Sequence, residues 1–250
     1  MNKQTDLSGK VALITGAAHR IGAEMACQLH QAGMNIALHY RNSKGKAEAL
    51  ADQLNAERPD SVVLIQANLL ETKGLPDIIS AATKSWQRLD VLINNASTFY
   101  PTKIGSATEN DWDDLIGSNL KAPFFLSQAA AGELKKQQGC IINIVDIHSQ
   151  RPMKGYPIYS AAKAGLAMLT MSLARELGPE IRVNGVAPGA ILWPEHEMDD
   201  QTKNEILNRT ALKRQGSPAD IARTALFLIK DADYISGQII NVDGGRTLGF

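Results

Sequence analysis

Val11-Ala12-Leu13-Ile14-Thr15-Gly16-Ala17-Ala18-His19-Arg20-Ile21-Gly22 decides the fold of this chain. VALIT (11–15) is uncharged and reads as a buried strand, and it runs directly into a turn of small residues. Small side chains there let the backbone come close to a pyrophosphate. The segment beyond, near 20–33, has helical periodicity, so its first N–H groups and the positive end of its dipole face the same point. A glycine turn alone is a weak signal. Set between a first strand and a helix, it points to dinucleotide binding.

The same rhythm continues on the C-terminal side of the turn. NIALHY (35–40), SVVLIQ (61–66), LDVLIN (89–94), CIINIV (140–145), IRVNGV (181–186) and QIINV (238–242) are further short, apolar, β-branched runs. Helical patterns fall between them, near 43–57, 73–87, 111–136, 157–177 and 218–230. Strand–helix alternation from end to end predicts a parallel sheet covered on both faces. No linker, repeat or low-complexity tract divides residues 1–250, so one domain is expected. The stretch 187–215 breaks the rhythm: it is long, polar and Trp-bearing, and reads as a flap that carries substrate contacts.

Composition narrows the function classes. Of 250 residues 44% are hydrophobic, which is ordinary for a globular protein. Lys+Arg and Asp+Glu both total 26, which gives no basic excess for nucleic acid and no reason to expect a membrane surface as partner. The opening MNKQTDLSGK has no apolar run, so no signal peptide is expected, and no apolar stretch approaches the ~18 residues that span a bilayer. Cys27 and Cys140 lie far apart in apolar surroundings and read as packing residues in a reducing compartment. A cytoplasmic protein without a metal site is expected.

Two further patterns carry chemistry. The second strand ends His39-Tyr40-Arg41-Asn42-Ser43, with no acid between Ile36 and Ser43. An acid there would hold the ribose hydroxyls of NAD; a basic residue followed by small polar donors suits the 2′-phosphate of NADP. Tyr159 and Lys163 stand four apart in a helical segment and so share one face. An ammonium beside a phenol favours the phenolate, so Lys163 is expected to lower the Tyr159 pKa and make it a usable proton donor.

The glycine turn, Asn94-Asn95-Ala96, Tyr159 with Lys163, Pro188-Gly189 and the final Asn241-Val242-Asp243-Gly244-Gly245 together resemble the short-chain dehydrogenase/reductase family, from near Gly9 to Gly245. The resemblance implies a single doubly wound α/β domain of Rossmann type with a seven-stranded parallel sheet. It implies a nicotinamide cofactor held by Gly16, His19, Arg20, Ile21, Arg41, Asn42, Ser43, Asn68, Leu69, Asn95, Ala96, Ser97, Tyr159, Lys163, Pro188 and Gly189. Asn119 matches the family's active-site asparagine, which extends a proton relay towards the lysine. Asn94 matches a position that supports the sheet. Homotetramers are usual in the family.

Three departures from the common pattern resemble the pteridine reductases within that family. Arg20 replaces the middle glycine of the turn, where it can reach a cofactor phosphate or a substrate edge. Asp146 stands thirteen residues before Tyr159, where most members carry a serine that bonds a substrate carbonyl. An acid is a poor partner for a ketone oxygen gaining negative charge, and a good one for a ring nitrogen to be protonated or for an N–H edge. Ser97 and Phe99 follow the asparagine pair, and Phe99 is placed either to stack on a flat heterocycle or to pack the core. Trp193 either lines the pocket or packs the flap down; Ser149 is expected in the loop, and His148 and His196 have no assigned role.

The expected activity is NADPH-dependent reduction of a dihydropterin or dihydrofolate to the tetrahydro form. Tyr159 and Asp146 would manage the proton, Lys163 would hold the nicotinamide ribose, and Asn119 would extend the relay. Reduction of 3-oxoacyl-carrier-protein or another carbonyl is the enzymatic alternative. A regulatory protein that senses NADP is the non-enzymatic one, although such proteins commonly lose the Tyr or the Lys.

Overall fold

A computed structural model describes residues 6–193 and 199–248. Seven strands form one all-parallel sheet: β1 Val11–Ile14, β2 Asn35–Tyr40, β3 Val62–Gln66, β4 Val91–Asn94, β5 Cys140–Ile144, β6 Arg182–Pro188 and β7 Ile239–Val242. Their order is β3-β2-β1-β4-β5-β6-β7. The chain winds outward from β1 to one edge, then returns to β4 and winds to the other. Loops leaving β1 and β4 therefore part in opposite directions, and a crevice opens outside their carboxyl ends.

The alternation of a strand's side chains explains why both faces need cover. Ala12 and Ile14 of β1 pack into a core with α1 (Arg20–Gln31), α2 (Lys44–Glu57) and α8 (Pro218–Lys230). Val11 and Leu13 face the opposite way, against α3 (Leu75–Lys84) and α5 (Ala122–Lys136). Every residue of β1 is buried, so the strand needs apolar side chains on both sides, as the run VALI provides.

Two segments differ from the sequence expectation. The helical stretch 111–136 is broken: α4 (Glu109–Ile116) passes into a π-helical turn, Gly117–Lys121, before α5 resumes. Periodicity cannot show this, because one extra residue per turn barely changes the apolar spacing; such turns often sit at functional sites. The expected flap 187–215 is not a uniform loop. Its first two residues complete β6, and α7 (Asp200–Asn208) lies within it, capped by the Asp199 side chain accepting from the Thr202 N–H at 2.7 Å. The short polar α7 carries no buried residue, so no apolar stripe marks it in the sequence.

Candidate active site

The crevice between the β1 and β4 loops is a cleft of about 430 Å³. Gly16, His19, Arg20, Ile21, Arg41, Asn42, Ser43, Asn68, Leu69, Asn95, Ala96 and Ser97 all line it. Twelve expected cofactor contacts, scattered over 82 positions from Gly16 to Ser97, thus converge because four parallel strands end at one level. Pro188 and Gly189 sit at the end of β6, on the same edge of the sheet, but are not among the cleft's lining residues.

The glycine turn is shaped for close approach. A Cβ on Gly22 would lie 2.4 Å from the Gly16 carbonyl oxygen and 2.7 Å from Asn95 Nδ2, so any side chain there would force the helix away from the turn. The Asn95 side chain donates to the carbonyls of Thr15 and Gly16, at 2.8 and 3.1 Å, and ties the β4 exit to the turn. Arg20 holds a φ of +56°, a left-handed conformation that costs a non-glycine residue about 1 kcal/mol. That backbone geometry accounts for glycine as the usual residue. From this position the guanidinium donates to the Trp193 carbonyl at 3.4 Å. Trp193 therefore anchors the start of the flap on the turn through its main chain and is not among the lining residues. His196 lies outside the described residues.

Asp146, Tyr159 and Lys163 meet at the carboxyl end of β5. Tyr159 donates to Asp146 Oδ2 at 2.7 Å, and Oδ1 of the same carboxylate accepts from the His148 N–H at 2.8 Å. Lys163, one turn along α6 (Pro157–Leu177), donates to the Ile144 carbonyl at 2.9 Å, with its nitrogen 5.8 Å from the centre of the Tyr159 ring. Both side chains are almost fully buried. The expected lowering of the Tyr159 pKa is corrected here. Burial pushes the phenol well above its ordinary value, and the Asp146 charge and hydrogen bond push it further. The sequence showed the lysine one turn away but not the acid accepting the phenol's proton. Tyr159 is thus held as a protonated donor.

Burial lowers the Lys163 pKa to about 8, while the charge of Asp146 opposes the shift. If the ammonium form supports catalysis, kcat/KM falls as pH rises through about 8. With Asp146→Ser the opposing charge is gone and the alkaline limb moves to lower pH. Initial rates across the range, at saturating cofactor, measure both; a flat profile to pH 10, about two units above that pKa, contradicts the assignment.

Asn119 is fully buried in the π-helical turn. Its Oδ1 accepts from the Ser97 hydroxyl at 2.6 Å, and its Nδ2 donates to the carbonyls of Thr98 and Leu115, each at 3.0 Å. It therefore locks the loop after β4 onto the helix that follows. Asn94, the last residue of β4, donates to Asn143 on β5 and to Ser127 on α5, which is a supporting role. Phe99 is 41% exposed rather than part of the core. One of its faces is already stacked on Tyr156, at 4.7 Å between centroids and 10° between planes, and it meets Tyr159 edge-on at 4.9 Å. Ser149 sits in a single 3₁₀ turn, Ile147–Ser149.

Sequence reading passed over three residues of this region. Tyr156 supports Phe99; its signal was an aromatic residue three before Tyr159. His39 was quoted but assigned nothing. Arg246 follows β7 in a 3₁₀ turn; burial lowers its pKa, and the nearby Asp146 charge opposes that. No spacing rule links position 246 to 146.

A family model described as Enoyl-(Acyl carrier protein) reductase matches residues 16–247. The chain is 40% identical to 3-oxoacyl-[acyl-carrier-protein] reductase FabG of Staphylococcus aureus (strain Mu50 / ATCC 700699), over 96% of this chain and 98% of the relative. It is 36% identical to Pteridine reductase 1 of Leishmania tarentolae, over 98% of each chain. It is 35% identical to a 3-oxoacyl-[acyl-carrier-protein] reductase of Synechocystis sp. (strain ATCC 27184 / PCC 6803 / Kazusa), over 98% and 99%. The chain belongs to the short-chain dehydrogenase/reductase family.

Membership makes the protein an oxidoreductase, and reductases of the short-chain dehydrogenase/reductase family typically use a nicotinamide dinucleotide. The residues present fit such a group: the cleft has the volume, the turn leaves no room for a side chain at Gly16 or Gly22, and Tyr159 is a buried donor beside it. Among the described residues no helix is long and apolar enough to cross a membrane.

Proposed function

We propose that the protein reduces a dihydropterin or dihydrofolate to the tetrahydro form with NADPH. The observation that carries this reading is the 2.7 Å hydrogen bond from the Tyr159 hydroxyl to Asp146. A carboxylate only accepts hydrogen bonds, so Asp146 favours a substrate edge bearing N–H and repels an oxygen that gains negative charge. Where a serine leaves the tyrosine proton free for a carbonyl, this acid shares it. The relatives divide between pteridine and 3-oxoacyl reductases at similar identity, so carbonyl reduction is the competing reading.

When bound, the nicotinamide supplies the hydride. Tyr159 delivers the proton to the neighbouring ring nitrogen, while the Asp146 carboxylate orients that hydroxyl and accepts from the N–H edge. Lys163, buried beneath them, supports that transfer and holds the ribose. Ser97, bonded to Asn119, sits between the cleft and the Tyr159 hydroxyl. Phe99 offers its remaining face to a flat ring. Loss of NADPH absorbance with dihydrobiopterin and with an acetoacetyl thioester tests the assignment; a preference for the thioester reverses it.

NADPH is the proposed cofactor. Arg41 and Asn42 are exposed at the cleft's end, and Ser43 begins α2 with a hydroxyl that makes no capping bond. A 2′-phosphate there meets a guanidinium, a hydroxyl and a helix N-terminus. One charge-assisted contact is worth roughly 1.5–3 kcal/mol, so kcat/KM for NADPH exceeds that for NADH by about tenfold or more. Equal values for the two cofactors remove this part of the proposal.

A homotetramer in the cytoplasm completes the reading. Phe124 and Phe125 on α5, with Met168 and Met171 on α6, expose large apolar side chains that a second copy would cover. The two free cysteines suit a reducing compartment.

A further inference from the structure

We propose that His39 is a positioning residue of the cofactor cleft: its imidazole clamps the glycine turn to the far wall and so sets the cleft's width before cofactor arrives. The inference rests on the reading of that cleft as a dinucleotide site. His39 is buried at the end of β2 and lines the cleft between Gly16 on one side and Asn68 and Leu69 on the other.

Its two ring nitrogens face two different loops. The Gly16 N–H donates to Nδ1 at 3.2 Å, and Nε2 stands 3.2 Å from the Ala67 carbonyl oxygen. An amide N–H can only donate and a carbonyl can only accept, so these partners select the tautomer with the proton on Nε2. A main-chain bond adds to the tie, from the Ala17 N–H to the His39 carbonyl at 2.9 Å. Two successive amides of the turn are thus bound to one residue. Asn95 holds the other side of the same turn through the Thr15 and Gly16 carbonyls.

This arrangement has a chemical consequence for an anion. The amides of Gly16 and Ala17 are committed within the protein, so the pyrophosphate is left to the positive end of the α1 dipole. Gly16 has a φ of +62°, a conformation that a glycine can leave easily unless something holds it. The imidazole supplies that hold, and it simultaneously fixes the β3 exit at Ala67. Both cleft walls are then ordered before binding, which removes a cost otherwise subtracted from affinity. Burial, which pushes the imidazole pKa down to about 4, keeps Nδ1 free to accept at neutral pH. His30 shows the contrast: it is also buried, but it bonds the Ser61 hydroxyl at 2.8 Å, and neither residue lines the cleft.

Two substitutions in the full-length protein separate the arms. In His39→Asn the Oδ1 atom stands where Nδ1 stood, so the Gly16 contact survives and the Ala67 contact is lost. In His39→Gln the longer amide reaches the Nε2 position, so the Ala67 contact survives and Gly16 is released. The Kd for NADPH is read by fluorescence titration, beside the melting temperature and the kcat and cofactor KM of each variant. Each variant cuts one arm of the clamp, so both are expected to bind NADPH about tenfold more weakly than wild type, with the loss in KM and little change in kcat. A wild-type Kd in either variant overturns the clamp, whether or not its melting temperature falls, because losing a residue that only stabilises the fold would lower the melting temperature alone. A wild-type protein that binds neither NADPH nor NADH overturns the dinucleotide reading and the clamp with it.

Discussion

Tyr159→Phe is expected to lower kcat by about 10²–10⁴-fold, the usual cost of removing a positioned proton donor. The ring is kept, so its packing against Phe99 survives. Only the hydroxyl and its bond to Asp146 go, which changes stability by about 1 kcal/mol. Lys163→Ala is expected to be comparably inactive, with a larger fall in melting temperature. It empties a buried volume and leaves the Ile144 carbonyl without its donor. Steady-state rates beside circular dichroism melts separate the two losses. A Tyr159→Phe enzyme with near wild-type turnover means that Asp146 alone delivers the proton.

Asp146→Ser has the second large effect, and its direction depends on the substrate. The change restores the residue most common in the family at that position. It removes a carboxylate that accepts from both Tyr159 and the His148 N–H, and a serine oxygen replaces that pair of contacts incompletely. The phenol is released from the acid that raises its pKa, and its proton becomes available to a carbonyl oxygen. For a pterin, the N–H edge loses its acceptor and the Tyr159 hydroxyl loses the carboxylate that orients it. We expect kcat/KM for dihydrobiopterin to fall by about 10²-fold or more, in the range seen when one charge-directed contact is lost from a reaction centre. The acetoacetyl thioester is expected to gain. NADPH affinity should barely move, because Asp146 does not line the 430 Å³ cleft. A serine variant that reduces the pterin as well as the wild type does would give the site to carbonyl reduction.

Both predictions use residues that could be picked out along the chain, because a fixed period sets their relation. Tyr159 and Lys163 lie one helical turn apart wherever that helix sits. Asp146 stands out by its distance from Tyr159 along the family's pattern. What each does to the other could not be read in the same way. The helical period makes Lys163 a neighbour of the tyrosine, yet the charge nearest in effect to the phenol is Asp146, thirteen residues earlier and on a different element. The sign of the Tyr159 shift turned on that contact. Phe99 shows the same limit: its place after the asparagine pair was visible, but Tyr156 as its stacking partner was not.

The sheet, its strands and the ring of loops that make the cleft follow from the residues in their linear order. Apolar, β-branched runs of four to seven residues with little charge, separated by helical periods, have few ways to bury both faces. The glycine turn then marks which strand is first and where the helix dipole points. These are local properties, fixed by side-chain alternation and backbone freedom, and they survive without knowledge of any distant contact. Protonation and fine geometry come from packing in three dimensions. The state of Tyr159, the lowered Lys163 pKa, the tautomer of His39 and the left-handed Arg20 each depend on atoms brought together from separate strands. Burial and short-range electrostatics vary over a few ångströms, and a linear order of residues carries no information on that scale.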